Sequence, residues 1–227
     1  PFCVRANRPV TAQMMADILS SHYEGTRDCC AHFGPGLSPH DASSIRYICT
    51  GTTLESDLFI LRDDPKLTTV MSSFGRPCQL PYVALHPLLA QPDALDPMAD
   101  ASGRMESHLA PETGACCWRN TPWWRMRAFE TQAELLFSDV SGGLRALMER
   151  MLAQGLESDA RLCEKLAVLL AEGDEAEARK TAEQADDSAL HAALHTLEDY
   201  ARANFAAVRL SLPMTLSVCP QEGERVR

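Results

Sequence analysis

Hydrophobic and polar positions divide the chain into a mixed first half and a helical second half. Thr11 is placed to cap a helix, and Met14, Met15, Ile18, Leu19 and Tyr23 recur at helical spacing, which predicts an amphipathic helix over 11–23 that stops at Gly25. Gly34, Pro35, Gly36 and Pro39 make 29–44 a loop. Three short strand-like runs follow: Arg46 to Thr50, Leu58 to Leu61 ended by Asp63-Asp64-Pro65, and Leu67 to Met71. Their short connections predict antiparallel neighbours. The Pro-rich stretch from Pro77 to Pro111 is too long for an idle connection and is expected to wrap a core or line a site.

From Thr121 the period changes to helical. Thr121 is a cap candidate, Pro122 fits a first helical position, and Trp124, Phe129, Leu135 and Leu136 supply the apolar face. Further helices are predicted near 140–153, 158–172, 175–185 and 187–209, punctuated by Gly155, Gly173 and Asp186-Asp187, with a loosely held tail after Pro213. No fixed-period repeat links them. Strands and helices in one chain give an α+β class.

Composition narrows the function classes. The 227 residues are 45% hydrophobic and 23% charged, enough to bury a core, and the net charge of −10 argues against nucleic acid as a partner. The acidic excess lies between Glu157 and Asp199 and reads as a solvated helical surface. No apolar run reaches the ~18 residues of a membrane span. Pro1 to Arg5 shows no charged stretch leading into an apolar one, so no signal peptide is visible, and the missing initiator Met reads as processing or a cut. Nine cysteines, with vicinal pairs at Cys29-Cys30 and Cys116-Cys117 and no CxxC, make neither a disulfide framework nor a zinc signature. Reduced thiols in a cytoplasmic protein are the simpler expectation.

Individual residues offer weak chemistry. His191 and His195 stand four apart on a predicted helix, but no Glu follows His191 and no third ligand is evident, so a solvated or half-buried pair is expected. Cys29-Cys30 with His32 could be nucleophile and base only if the fold joined them. Trp118, Trp123 and Trp124 suit core packing better than a ligand wall. Gly34-Pro35-Gly36 lacks the Lys and helix of a phosphate loop.

Longer patterns say more. Pro9-Val10-Thr11, Met14-Met15 and the pentapeptide His22-Tyr23-Glu24-Gly25-Thr26 resemble a stretch of the bacterial cysteine dipeptidases related to the secernins. The resemblance continues in order through Arg46 to Thr50, Thr53 to Arg62, Pro81 to Pro97, Trp123-Trp124, and Leu197 to Tyr200 with Ala201, Asn204 and Ala207, covering roughly 1–212. It implies the C-terminal portion of an αββα N-terminal-nucleophile hydrolase sandwich with a helical C-terminal region. Residues 1–120 would form the helix, strands and Pro-rich pocket segment of the hydrolase core, and 121–227 the helical region of the same domain. In that class a Cys freed at the mature N-terminus attacks the carbonyl of a dipeptide with its own α-amine as base, and no metal or cofactor is needed. That nucleophile and its Asp and Arg partners would belong to an N-terminal part of the same protein outside this chain. Cys3, behind Pro1-Phe2, does not match it.

One catalytic position is carried over. The loop from Gly34 to Asp41 leading to Ser44-Ile45-Arg46-Tyr47 also resembles the choloylglycine and penicillin acylases, in which an Arg after such a loop organises the nucleophile's site. Arg46 is thereby a candidate site-organising residue, since a guanidinium favours a thiolate and binds carboxylates; the competing reading is a structural Arg between loop and strand. The partners implied are a dipeptide and the N-terminal part of the protein, with self-association expected of the chain alone, and neither nucleic acid nor membrane. Two other readings are a catalytically inactive secernin-like binding protein and a helical interaction module over 121–212.

Overall fold

The computed structural model describes residues 7–27, 38–41, 47–90 and 122–205. Helix α1 runs Ala12–Leu19, capped by Thr11, whose side chain accepts from the Met14 amide. It ends earlier than the periodicity predicts, because Tyr23 (φ 58°) and Gly25 (φ 78°) take left-handed backbone and turn 20–27 into a tight loop. Three strands follow: β1 (Ser56–Ile60), β2 (Thr69–Ser73) and β3 (Val83–Leu85), antiparallel in the order β1-β2-β3. Leu58 opposes Met71, and Met71 opposes Ala84.

Two of the predicted strands shift and one dissolves. Leu67 belongs to a 3-10 turn over Pro65–Leu67, capped by the Asp64 side chain, so β2 starts two residues later than expected. Tyr47–Thr50 forms no strand; the Cys49 amide donates instead to the Ser21 carbonyl, docking this segment on the loop after α1. Strand β3 arises inside the Pro-rich stretch, between Pro81 and Pro87, where three residues are too few to show a period.

The helical half is simpler than its punctuation suggests. Helix α2 covers Pro122–Leu135, α3 covers Phe137–Ala171 and α4 covers Glu175–Asn204. Gly155 does not break α3; a Cβ there would meet the Met71 side chain at 3.3 Å, so the glycine serves close approach of helix to sheet. Asp186-Asp187 does not break α4 either. Gly173, at φ 79°, does end α3, and Asp174 then caps α4 by accepting from the Glu177 amide. At ~1.5 Å per residue α3 is about 50 Å long and needs lateral packing to persist.

The core forms where these helices meet the sheet. Val83, Leu85 and Phe74 pack with Met126, Leu147, Leu190 and Leu197 of α2, α3 and α4, and Phe205 closes the cluster against Phe129 and Tyr200. Leu58, Met71 and Tyr82 pack with Ala16 of α1 and Leu152 of α3. Buried Leu, Met and Phe side chains of this kind contribute about 1.5–3 kcal/mol each. No described helix is long and apolar enough to cross a membrane.

Candidate functional site

The loop after α1 folds its histidine inward. His22 is buried, its ring edge-on to Tyr47 and to His40, and its amide donates to the Glu24 carboxylate two residues on. A second short turn, Pro39–Asp41, delivers His40, whose amide and Nδ1 both meet the Ser38 hydroxyl. The Tyr47–Thr50 bend brings Cys49, fully buried, and the loop between β2 and β3 brings Cys78. These four side chains converge on one point. His22 Nε2 lies 3.1 Å from His40 Nε2, Cys49 Sγ 3.7 Å and Cys78 Sγ 3.4 Å from His40 Nε2, and the two sulfurs 3.5 Å apart.

Carboxylates hold both imidazoles from behind. His40 Nδ1 is 2.8 Å from Glu134 Oε2, and His22 Nδ1 is 3.3 Å from Glu24 Oε1. Glu134, the last residue but one of α2, also accepts from Gln79 Nε2 at 2.6 Å and pairs with Arg76 Nη1 at 3.1 Å. Arg76 is anchored in turn by Glu130, fully buried on α2, which accepts its backbone amide at 2.6 Å and pairs with its Nε at 3.0 Å. Gly75 permits this approach: a Cβ there would lie 2.7 Å from Glu130 Oε1 and from Leu80 Cδ1. Helix α2 thus fixes both the loop that carries Cys78 and the ring of His40.

The electrostatics follow from this crowding. Cys49 is pulled to about 3 by its hydrogen bond with Cys78 and further bonds with His22 and His40, which outweigh burial. Burial and the neighbouring Cys49 push the Cys78 thiol up instead. Burial alone would lower His40, yet Cys49 and Glu134 raise it. Burial likewise opposes ionisation of Glu134, but hydrogen bonds from His40, Ser38 and Gln79 bring it to about 2. The chemistry is that of a thiolate held among imidazoles whose far nitrogens are carboxylate-bound. Among the described residues two groups have donor atoms all within 4.8 Å of one another and could hold a metal: His22, His40, Cys49 and Cys78 here, and His86, Asp159 and Cys163 at a second buried cluster.

A cavity of about 320 Å³ opens beside this cluster, between α1, the pentapeptide loop and α3. His22, Glu24, Cys78, Tyr82, Phe137 and Arg145 are among its walls. Cys49 is not.

A second buried cluster joins the sheet to the long helices. His86 Nδ1 is 2.7 Å from Asp186 Oδ1 and its Nε2 3.1 Å from Asp159 Oδ1, while Thr69 Oγ1 and Arg62 Nη2 reach Asp159 at 2.7 and 2.5 Å. Both His86 nitrogens and both Asp159 oxygens are engaged within the protein, which makes this an ion-pair clamp. Cys163 packs beside it, 3.6 Å from Asp159.

The sequence candidates fare unevenly. Arg46, Cys3, Cys29, Cys30, His32, Gly34 to Gly36, Trp118 and Thr121 lie outside the described residues, as does the Trp124 side chain. His191 and His195 are exposed on α4, as expected of a solvated pair. Trp123 packs half-buried on the main core beneath the Arg127 guanidinium. The His22–His40–Cys49–Cys78 cluster was not visible in the sequence, where gaps of 18, 9 and 29 residues separate its members. The absence of a CxxC, read against a zinc site, hid cysteines that arrive singly from separate turns. No protein-family model, no curated protein and no solved structure matches the chain.

Proposed function

We propose that the chain is the C-terminal part of a thiol dipeptidase of the N-terminal-nucleophile type, contributing the wall of the substrate cavity to an αββα sandwich. The observation that carries the reading is where the pentapeptide sits. His22 to Thr26, the most specific part of the resemblance, lies in the tight loop docked on Tyr47–Thr50, and its His22 and Glu24 line the cavity together with Cys78. At about 320 Å³ the cavity sits at the lower end of the ~300–1,000 Å³ typical of small-molecule clefts, a size suited to a dipeptide. Its walls carry Arg145, held 3.2 Å from Glu149 and fit to exchange that partner for an α-carboxylate, and Asp17, fit for an α-ammonium group.

The sheet supports the sandwich reading. Strand β1 is at an edge of the described sheet, and Phe59 and Leu61 are 65% and 79% exposed, leaving an apolar surface for further chain to cover. The nucleophilic Cys of this proposal is supplied from sequence preceding Pro1, and Arg46 is the candidate residue for organising its site.

The test uses the protein extended to a freed N-terminal Cys. It is expected to hydrolyse dipeptides, and Ser141→Trp, which fills the cavity from α3 without touching the core, should raise KM about tenfold or more. Dipeptide turnover unaffected by Ser141→Trp would remove the cavity from the substrate path.

A further inference from the structure

The four-residue cluster asks for more than hydrogen bonding can supply. His40 Nε2 has a single hydrogen or lone pair to offer, yet three groups crowd it: His22 Nε2 at 3.1 Å, Cys78 Sγ at 3.4 Å and Cys49 Sγ at 3.7 Å. Two sulfurs and two imidazole nitrogens packed in a buried space without a shared partner would leave most of their bonding capacity unused.

A tetrahedral metal resolves the arrangement. With Zn–S of ~2.3 Å and Zn–N of ~2.0–2.1 Å, the edges of a Cys₂His₂ tetrahedron are about 3.8 Å for S–S, 3.3 Å for N–N and 3.6 Å for S–N. Four of the six edges are 3.5, 3.1, 3.7 and 3.4 Å, and the two between His22 and the sulfurs are within 4.8 Å. Each of those four is within about 0.3 Å of the edge that the zinc bond lengths require. Both histidines present Nε2 inward and give Nδ1 to a carboxylate, the outer-shell pattern that orients zinc-bound imidazoles.

We infer that His22, His40, Cys49 and Cys78 form a closed, four-coordinate zinc site that ties together the turn-rich part of the fold, with Glu134 and Glu24 as its positioning residues. The inference goes beyond the dipeptidase reading and does not depend on it. Thiolate and imidazole together select a borderline-soft ion and exclude calcium and magnesium, which prefer oxygen. Four protein ligands leave no open position, so the metal's role is structural.

The location explains the need. Residues 20–27, 38–41 and 47–53 contain only turns, bends and one 3-10 turn, with no sheet ladder between them. A metal at their junction would replace that ladder. The competing assignment, a Cys–His–Glu nucleophile built on Cys49, His40 and Glu134, fails on access: Cys49 is 0% exposed and does not line the cavity.

The experiment is elemental analysis followed by cobalt substitution on the tag-free 227-residue chain. One zinc per chain is expected, and replacement by Co(II) should give tetrahedral ligand-field bands with thiolate-to-cobalt charge transfer in the near ultraviolet. Cys163→Ser, in the other buried cluster, should keep full occupancy. Cys78→His retains four ligands, so it should still bind Co(II) while losing about half the charge-transfer intensity, the share of one of two thiolates. Four results would overturn the site: a folded, zinc-supplied chain with well under one equivalent bound, an octahedral cobalt spectrum without charge transfer, undiminished charge transfer in Cys78→His, or a Cys49–Cys78 disulfide in the intact protein.

Discussion

His40 and Glu134, 94 residues apart in sequence, meet through an imidazole Nδ1 and a carboxylate oxygen separated by 2.8 Å. The contact joins a three-residue turn to helix α2. Because Nδ1 is committed there, Nε2 is the nitrogen turned toward His22, Cys49 and Cys78. Glu134→Gln should therefore keep the fold but weaken zinc binding about 10–100-fold, the usual cost of losing an outer-shell carboxylate. Competition with a chromophoric chelator measures this directly. Equal affinity in the variant would show that Glu134 only packs.

The His86 clamp predicts a pH dependence with a definite sign. Burial would lower His86, but the hydrogen bonds it donates to Asp159 and Asp186, with Cys163 beside them, raise it to about 11. A folded value above the unfolded ~6.5 means the stabilisation is complete below that pH and declines as pH rises toward the folded value. Asp159 behaves oppositely: despite burial, His86, Thr69 and Arg62 lower it, so its contribution holds above ~3.8 and fades as pH falls through the folded value. Urea unfolding of the chain and of His86→Gln between pH 7 and 9 should differ in slope by up to about 1.4 kcal/mol per pH unit, with the unsubstituted chain losing stability faster. Parallel slopes would mean that His86 is neutral in the fold.

Much of the fold was legible because long helices and their caps follow local rules. The Thr11 cap, Pro122 at the start of α2 and Gly173 at the end of α3 are all as the sequence predicts. What was not legible depends on distant partners. Asp159 and Asp186 occupy positions in the buried stripes of α3 and α4, where charge looks like a helix break until His86 is seen between them. A carboxylate inside an apolar stripe was the available signal. The Cys49–Cys78 site gave less warning, since four single residues from four turns have no common spacing, although His22 lay within the pentapeptide that carried the family resemblance.

Two adjacent glycines of α3 should respond differently to the same substitution. A Cβ on Gly142 meets nothing within 4 Å, so Gly142→Ala should gain about 0.5–1 kcal/mol from helix propensity. A Cβ on Gly143 would lie 2.6 Å from Tyr200 Oη, which donates to the Val140 carbonyl at 3.3 Å. Gly143→Ala must displace that hydroxyl and give up a hydrogen bond of about 1 kcal/mol, cancelling the gain or reversing it. In a Tyr200→Phe background the two substitutions should become equivalent. Thermal melts of the six proteins decide the matter, and equal effects in the original background would contradict the packing described.

The uncovered apolar surface on β1 predicts association of the 227-residue chain. Phe59 and Leu61 are on or just beyond an edge strand, and such surfaces recruit other copies when nothing covers them. Light scattering should show self-association that Phe59→Ser with Leu61→Ser reduces. A monomer with a sharp cooperative melt would mean that the sheet needs no further layer.

The dipeptidase proposal is tested most directly by comparing two proteins in one assay: the 227-residue chain and the same chain extended upstream to a freed N-terminal Cys. Only the extended protein is expected to hydrolyse dipeptides; changing its N-terminal Cys to Ala should abolish turnover, and Arg46→Ala should lower kcat/KM about a hundredfold while the Tm holds. Thiol-dependent hydrolysis by the 227-residue chain itself, or an extended protein whose turnover survives loss of that Cys, would contradict the proposal.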